Sequence, residues 1–124
     1  PSVSEAAEKE ALFQKGLMEY EKGDYFEAHE AWEDLWSDYN LPDRKFIQGL
    51  IQLSVSFVHL RNGNMNGARS LLKKCSEKFE PYQHLQRGIN MDEIKMDIKT
   101  VALAYEEIDD PRIFHWGLVP SLKE

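Results

Sequence analysis

The sequence has little cysteine, no long uninterrupted apolar run and fewer basic than acidic residues, and each shortage closes off a class of protein. Cys75 is the only cysteine, so an internal disulfide is excluded and a reducing compartment fits. The most apolar stretch, Phe46 to Leu60, is interrupted by Gln48, Gln52 and His59. It falls short of the roughly 20 apolar residues that cross a bilayer. Lys and Arg number 15 against 22 Asp and Glu, for a formal net charge of -7. That balance offers nothing to a phosphate backbone, so no nucleic-acid partner is expected, and no membrane surface either. Residues Pro1 to Leu12 are acidic and alanine-rich and lack the apolar centre of a secretion signal, and a cytoplasmic location is the expectation. No stretch alternates with period two and none is of low complexity, so no sheet and no linker are expected. The length of 124 residues suits one domain over 1–124.

What the sequence does contain is helical periodicity, broken at intervals by stop signals. A first helix is expected from about Ser4 to Glu21, with Phe13, Leu17 and Tyr20 on one face and Gly23 as its stop. Asp24 and Glu27 form a capping box that opens a second helix, running to about Tyr39 before Asn40 and Pro42. A third runs from about Asp43 to Arg61, closed by Asn62 and Gly63, and a fourth from about Asn64 to Glu80, stopped by Pro81. Asn90 and Glu93 cap a fifth, whose stripe Met91, Ile94, Ile98, Val101, Tyr105 and Ile108 ends at Asp110-Pro111. The connections are short, which favours antiparallel neighbours. The expected fold class is therefore all-α, a compact five-helix antiparallel bundle. The apolar tail, with Phe114, Trp116, Leu118 and Val119, should dock on the bundle or on a second copy in a homo-oligomer, because leaving it in water forfeits its burial energy.

An internal repeat supports this architecture. Phe13-x-x-Gly16 recurs as Phe46-x-x-Gly49, and Gly23-Asp24-x-x-x-Ala28 as Gly63-Asn64-x-x-x-Ala68. The run Gly23 to Ala28 resembles a tetratricopeptide turn and second helix, which implies tetratricopeptide-like helical hairpins. Glycine inside a helix costs about 1 kcal/mol against alanine, so Gly16 and Gly49 are expected to mark close helix contacts.

The second helix carries the residues that invite a chemical reading. Projected at 100° per residue, Tyr25, Ala28, Trp32, Leu35, Trp36 and Tyr39 share an apolar face. His29 falls within it, Glu33 at its margin, and Glu30 further round. On the third helix Gln48, Gln52, Ser56 and His59 form one narrow polar strip poor in charge, which suits a half-buried face that satisfies hydrogen bonds. The expectation is that this strip meets the His29 and Glu33 side of the second helix. The result would be a ligand pocket of His29, Glu33, Gln48, Gln52 and His59, walled by Trp32 and Trp36, with Glu30 nearby.

Three chemistries could use such a pocket. His29 and Glu33 are one helical turn apart and could ligate a divalent metal with His59 as a third ligand. In that case His29-Glu30-x-x-Glu33 is a variant of the metalloprotease pattern in which Glu33 replaces the second histidine and Glu30 is the catalytic base. A histidine and a glutamate in a partly dry site could also do acid–base work without metal. Alternatively, the His–Glu–Gln network satisfies itself and fixes helix packing.

The strings Phe13-x-x-Gly16, Gly23-x-Tyr25-Phe26-Glu27-Ala28-His29-Glu30-x-Trp32-Glu33-x-x-Trp36, Gln48-Gly49-Leu50-Ile51-Gln52 and His59-x-x-x-Gly63-Asn64 resemble the bacterial and archaeal domain of unknown function family numbered 309, over about residues 10–75. The resemblance implies a compact helical fold. It brings a suggestion of metal-dependent hydrolysis without identifying a reaction. The leading expectation is an uncharacterised helical domain whose polar pocket binds a small ligand, a metal or a peptide. The alternatives are a metal-dependent hydrolase using His29, Glu33 and His59 with Glu30 as base, and a protein-interaction module that uses its outer helical surface.

Overall fold

The computed structural model describes residues 3–123. Five helices follow in order: α1 (Val3–Glu21), α2 (Tyr25–Asp38), α3 (Arg44–Arg61), α4 (Met65–Phe79) and α5 (Met91–Glu107). Each packs against the next in the chain. The all-helical expectation holds, with one small addition described below.

The repeated sequence signals form repeated junctions. At the end of α1 Gly23 adopts φ +82°, and at the end of α3 Gly63 adopts φ +80°. These left-handed conformations let the chain reverse at the helix end at no Cβ cost. The next residue caps the following helix in both cases. Asp24 Oδ1 accepts from the Glu27 amide at 3.3 Å, and Asn64 Oδ1 accepts from the Gly67 amide at 2.9 Å. Asn90 caps α5 in the same way, accepting from the Glu93 amide at 3.0 Å.

The mid-helix glycines sit where large rings press in. A Cβ on Gly16 would lie 2.1 Å from Trp32 Nε1, and one on Gly49 would lie 2.6 Å from Phe79 Cε1. Each glycine thus allows a buried aromatic of the following helix to lie directly on the backbone of α1 or α3. Cys75 is buried in the core, and burial pushes its thiol pKa well above the ordinary value.

A buried polar chain ties α5, α3 and α4 together. Ser56 Oγ donates to the Ala68 carbonyl at 2.7 Å, and it lies 2.9 Å from Tyr105 Oη. Since the single serine proton goes to Ala68, Tyr105 is the donor in the second bond. Burial pushes the Tyr105 pKa up, which keeps that phenol protonated. The tail docks on the bundle, as expected. Phe114 and Leu122 are buried, Tyr20 Oη donates to the Pro120 carbonyl at 2.7 Å, and Phe114 meets Tyr105 edge-on.

The addition is a hairpin between α4 and α5. Leu85–Gln86 (β1) pairs antiparallel with Ile89–Asn90 (β2). The two-residue turn is Arg87-Gly88, with φ +51° and +79°. That geometry favours Asn-Gly or Asp-Gly, so Arg87 carries no turn signal in the sequence. A tertiary contact holds it there. Arg87 Nε and Nη2 donate to the two Asp43 carboxylate oxygens at 2.7 and 3.0 Å, Gln86 adds a third bond at 2.9 Å, and the guanidinium lies 4.8 Å from the Phe13 ring centre.

Asp43 yields a pH prediction. Burial raises its pKa, but the Arg87 and Gln86 hydrogen bonds outweigh it and the carboxyl sits below its usual value. A depressed folded-state pKa contributes stability that is fully present above the unfolded value of about 4 and is lost as pH falls through the folded value. Asp43→Asn should lower the urea midpoint at neutral pH, with a cost of about 2 kcal/mol because Arg87 loses a charged partner in a part-buried site. As pH falls through the lowered folded value, the gap between variant and wild type should close. A gap that stays constant across this range would exclude the ion pair as its source.

Candidate functional site

α2 forms because its apolar residues recur at three- and four-residue spacing behind the Asp24 cap, and this spacing fixes where each motif residue points. Trp32 is fully buried, and its Nε1 donates to the Phe13 carbonyl on α1 at 3.2 Å. His29 lies three residues earlier, about 60° round from Trp32 on the side away from Leu35. It is half-buried, and its Nδ1 lies 2.8 Å from the Phe26 carbonyl. A carbonyl can only accept, so Nδ1 carries the proton and Nε2 is left as the acceptor. The Phe26 ring stands edge-on to the imidazole at 5.2 Å. Glu30 and Glu33 are exposed. Trp36 is half-buried under the Arg44 guanidinium, 4.1 Å from the ring centre. Arg44 also donates to the Trp36 and Tyr39 carbonyls at 2.9 and 3.1 Å, closing the end of α2.

The polar strip of α3 turns toward α4. Ser56 bonds the Ala68 carbonyl, and His59 lies against the first turn of α4, where a Cβ on Gly67 would be 2.9 Å from its Cγ. Asn64 Nδ2 donates to His59 Nδ1 at 3.4 Å, so this imidazole holds the opposite tautomer to His29. Gln52 is buried on the same strip and Gln48 is half-buried beside it. The side of α3 that meets α2 is marked by Phe57, whose ring lies 5.1 Å from Tyr25, and by Arg61, which donates to the Gly23 carbonyl. Phe57 and His59 are two residues apart and so point in roughly opposite directions.

The α2 motif and the α3 strip were expected to converge; instead the strip looks at α4 and Trp32 looks at α1. Among the described residues no three of His, Cys, Asp and Glu group so as to hold a metal ion. Gln52 Oε1 and Trp36 Nε1 are buried with no protein hydrogen-bond partner.

Arg61 lies 4.8 and 4.9 Å from the ring centres of Tyr25 and Trp116, joining α2, α3 and the tail. Sequence reasoning missed this contact, and it missed Asp43 and Arg87. These partners are far apart in sequence and no local pattern pairs them.

The fold and these placements define a compact helical domain whose second helix buries Tyr25 and Trp32 and leaves Phe26 exposed. Residues 13–71 are similar to the family described as Domain of unknown function (DUF309). It is similar to an uncharacterized protein of Aquifex aeolicus, 27% identical over 81% of this chain and 30% of the relative. It is also similar to the uncharacterized protein YpuF of Bacillus subtilis, 29% identical over 82% of this chain and 58% of the relative. The chain therefore spans less than two thirds of the length of either relative. No solved structure matches. Among the described residues no helix is long and apolar enough to cross a membrane.

Proposed function

We propose that this domain is a protein-interaction module whose recognition surface is the outer face of α2. The observation that carries this reading is Phe26, a large apolar side chain 52% exposed in the first turn of a carboxylate-rich helix. α2 contains Glu27, Glu30, Glu33, Asp34 and Asp38 and no Lys or Arg. Trp32, Trp36 and Tyr25 are occupied in packing, so the part of the motif open to a partner is Phe26, Glu30 and Glu33 with the His29 edge. An aromatic anchor ringed by acids suits a basic segment with an apolar residue at its centre. A Lys- and Leu-rich peptide titrated into the labelled protein should shift the amide resonances of Phe26 to Ser37. Phe26→Ala combined with Glu30→Lys and Glu33→Lys should weaken binding about tenfold or more with little change in melting temperature, because these side chains are exposed. Unchanged binding by the triple variant would exclude this face.

A second reading keeps the polar cluster as a ligand site, and Gln52 favours it. Its buried Oε1 has no protein donor, and a bound polar molecule would satisfy it. The candidate set is Gln48, Gln52 and His59 on the α3 strip. If a divalent metal binds there, zinc, manganese or iron should raise the melting temperature of the wild type, and not that of Gln52→Ala combined with His59→Ala. A wild type indifferent to all three metals would leave the surface reading alone.

A further inference from the structure

One cavity lies away from α2. It opens between α4 and α5 with a volume of about 570 Å³. Its floor is apolar, formed by Leu72, Ile98, Ala102 and Tyr105, and its rim carries Arg69, Lys73 and Lys99 against one carboxylate, Glu106. In a chain of net charge -7 this is a local reversal of sign. Burial of an apolar floor beneath cations selects an occupant that is itself apolar on one side and acidic at its edges.

Two observations favour a helix as that occupant. The first is length. The rim runs along α4 from Arg69 to Ser76, seven residues and therefore about 10 Å. This is the span of an i to i+7 apolar stripe on a docked helix. The second is that the apolar track continues beyond the cavity. On the outward side of α5, Met96 is 70% exposed and Leu103 is 66% exposed, seven residues apart on one stripe with Lys99 between them. A small molecule would fill the cavity and leave that stripe in water; a helix lying along α5 would cover both. Arg69 is held in place at the rim. Its Nη2 donates to the Tyr105 and Ile108 carbonyls at 2.8 and 2.9 Å.

We propose that the groove between α4 and α5 receives an amphipathic helix of a partner protein, its apolar stripe on Leu72, Ile98 and Ala102 and its carboxylates against Arg69, Lys73 and Lys99. This surface is separate from the α2 face and of opposite charge, so neither proposal depends on the other.

The test is a titration of the isotopically labelled full chain with a designed peptide of roughly 18 residues, with leucine at the a and d positions and glutamate at e and g. The amides of Ser70, Lys73 and Ala102 should shift. Binding should weaken with added salt. The same peptide with lysine in place of glutamate should bind about tenfold more weakly or not at all. Lys73→Glu with Lys99→Glu should lose the acidic peptide, and Ala102→Trp, which fills the floor without touching the charges, should lose it too. Melting curves confirm that these variants fold. Absence of groove shifts, or equal binding of the two peptides, overturns the proposal. So does either substitute occupant: concentration-dependent self-association abolished by the groove variants would assign the groove to a second copy, and dodecanoate shifting these amides while the peptide does not would assign it to a small amphiphile.

Discussion

Replacing Trp32 by alanine should destabilise the protein by about 4 kcal/mol, the range for removing a fully buried large aromatic from a core. For a domain of this size that is a fall in melting temperature on the order of 15 °C. The indole is in the group of largest fully buried side chains, lies 6.2 Å from the Tyr20 ring centre and gives its N–H to Phe13. Its loss would open a cavity between α1 and α2 and remove one partner from the Phe13 carbonyl. Trp32→Phe should fall between the two, keeping part of the apolar volume and losing the hydrogen bond. A cost below about 1 kcal/mol for the alanine variant, read from chemical denaturation, would mean that the ring does not hold the first hairpin together.

Gly16→Ala should destabilise by about 3 kcal/mol, although alanine is the better helix former. The added Cβ would lie 2.1 to 2.5 Å from three atoms of the Trp32 ring, so the two helices must separate or the ring must leave its site. The diagnostic result is a reversal of sign. In the Trp32→Ala background the clash disappears and only helix propensity remains, so Gly16→Ala should then stabilise by up to about 1 kcal/mol. A double-mutant cycle isolates this coupling, which only a direct contact produces. If Gly16→Ala is equally damaging in both backgrounds, the glycine is needed for some reason other than Trp32.

Much of the fold was legible because it rests on local chemistry. Asp24, Asn64 and Asn90 cap helices through bonds to residues three positions on, and Gly23 and Gly63 reverse the chain within single junctions. The glycines at 16 and 49 were readable as close contacts because a mid-helix glycine has a cost that only packing can offset. The hairpin at Arg87 was not readable. Its left-handed backbone is held by Asp43, forty-four residues away, and a turn kept by a tertiary ion pair leaves no turn signal in its own residues.

The candidate site divides along the same line. The sequence by itself placed His29 beside Trp36 and Glu33 one turn on, and placed Gln48, Gln52, Ser56 and His59 on one strip, since all of that follows from 3.6 residues per turn. Which neighbour each face meets depends on how helices are rotated against one another, and the sum of core contacts sets that rotation. Trp32 seated on Gly16 turns the motif side of α2 to α1, and Ser56 bonded to Ala68 turns the polar strip of α3 to α4. Phe26, Glu30 and Glu33 are left outside by the first of these contacts. The groove between α4 and α5 is likewise a product of the packing, because its floor and rim come from two helices that the sequence lists separately and only the tertiary structure brings side by side.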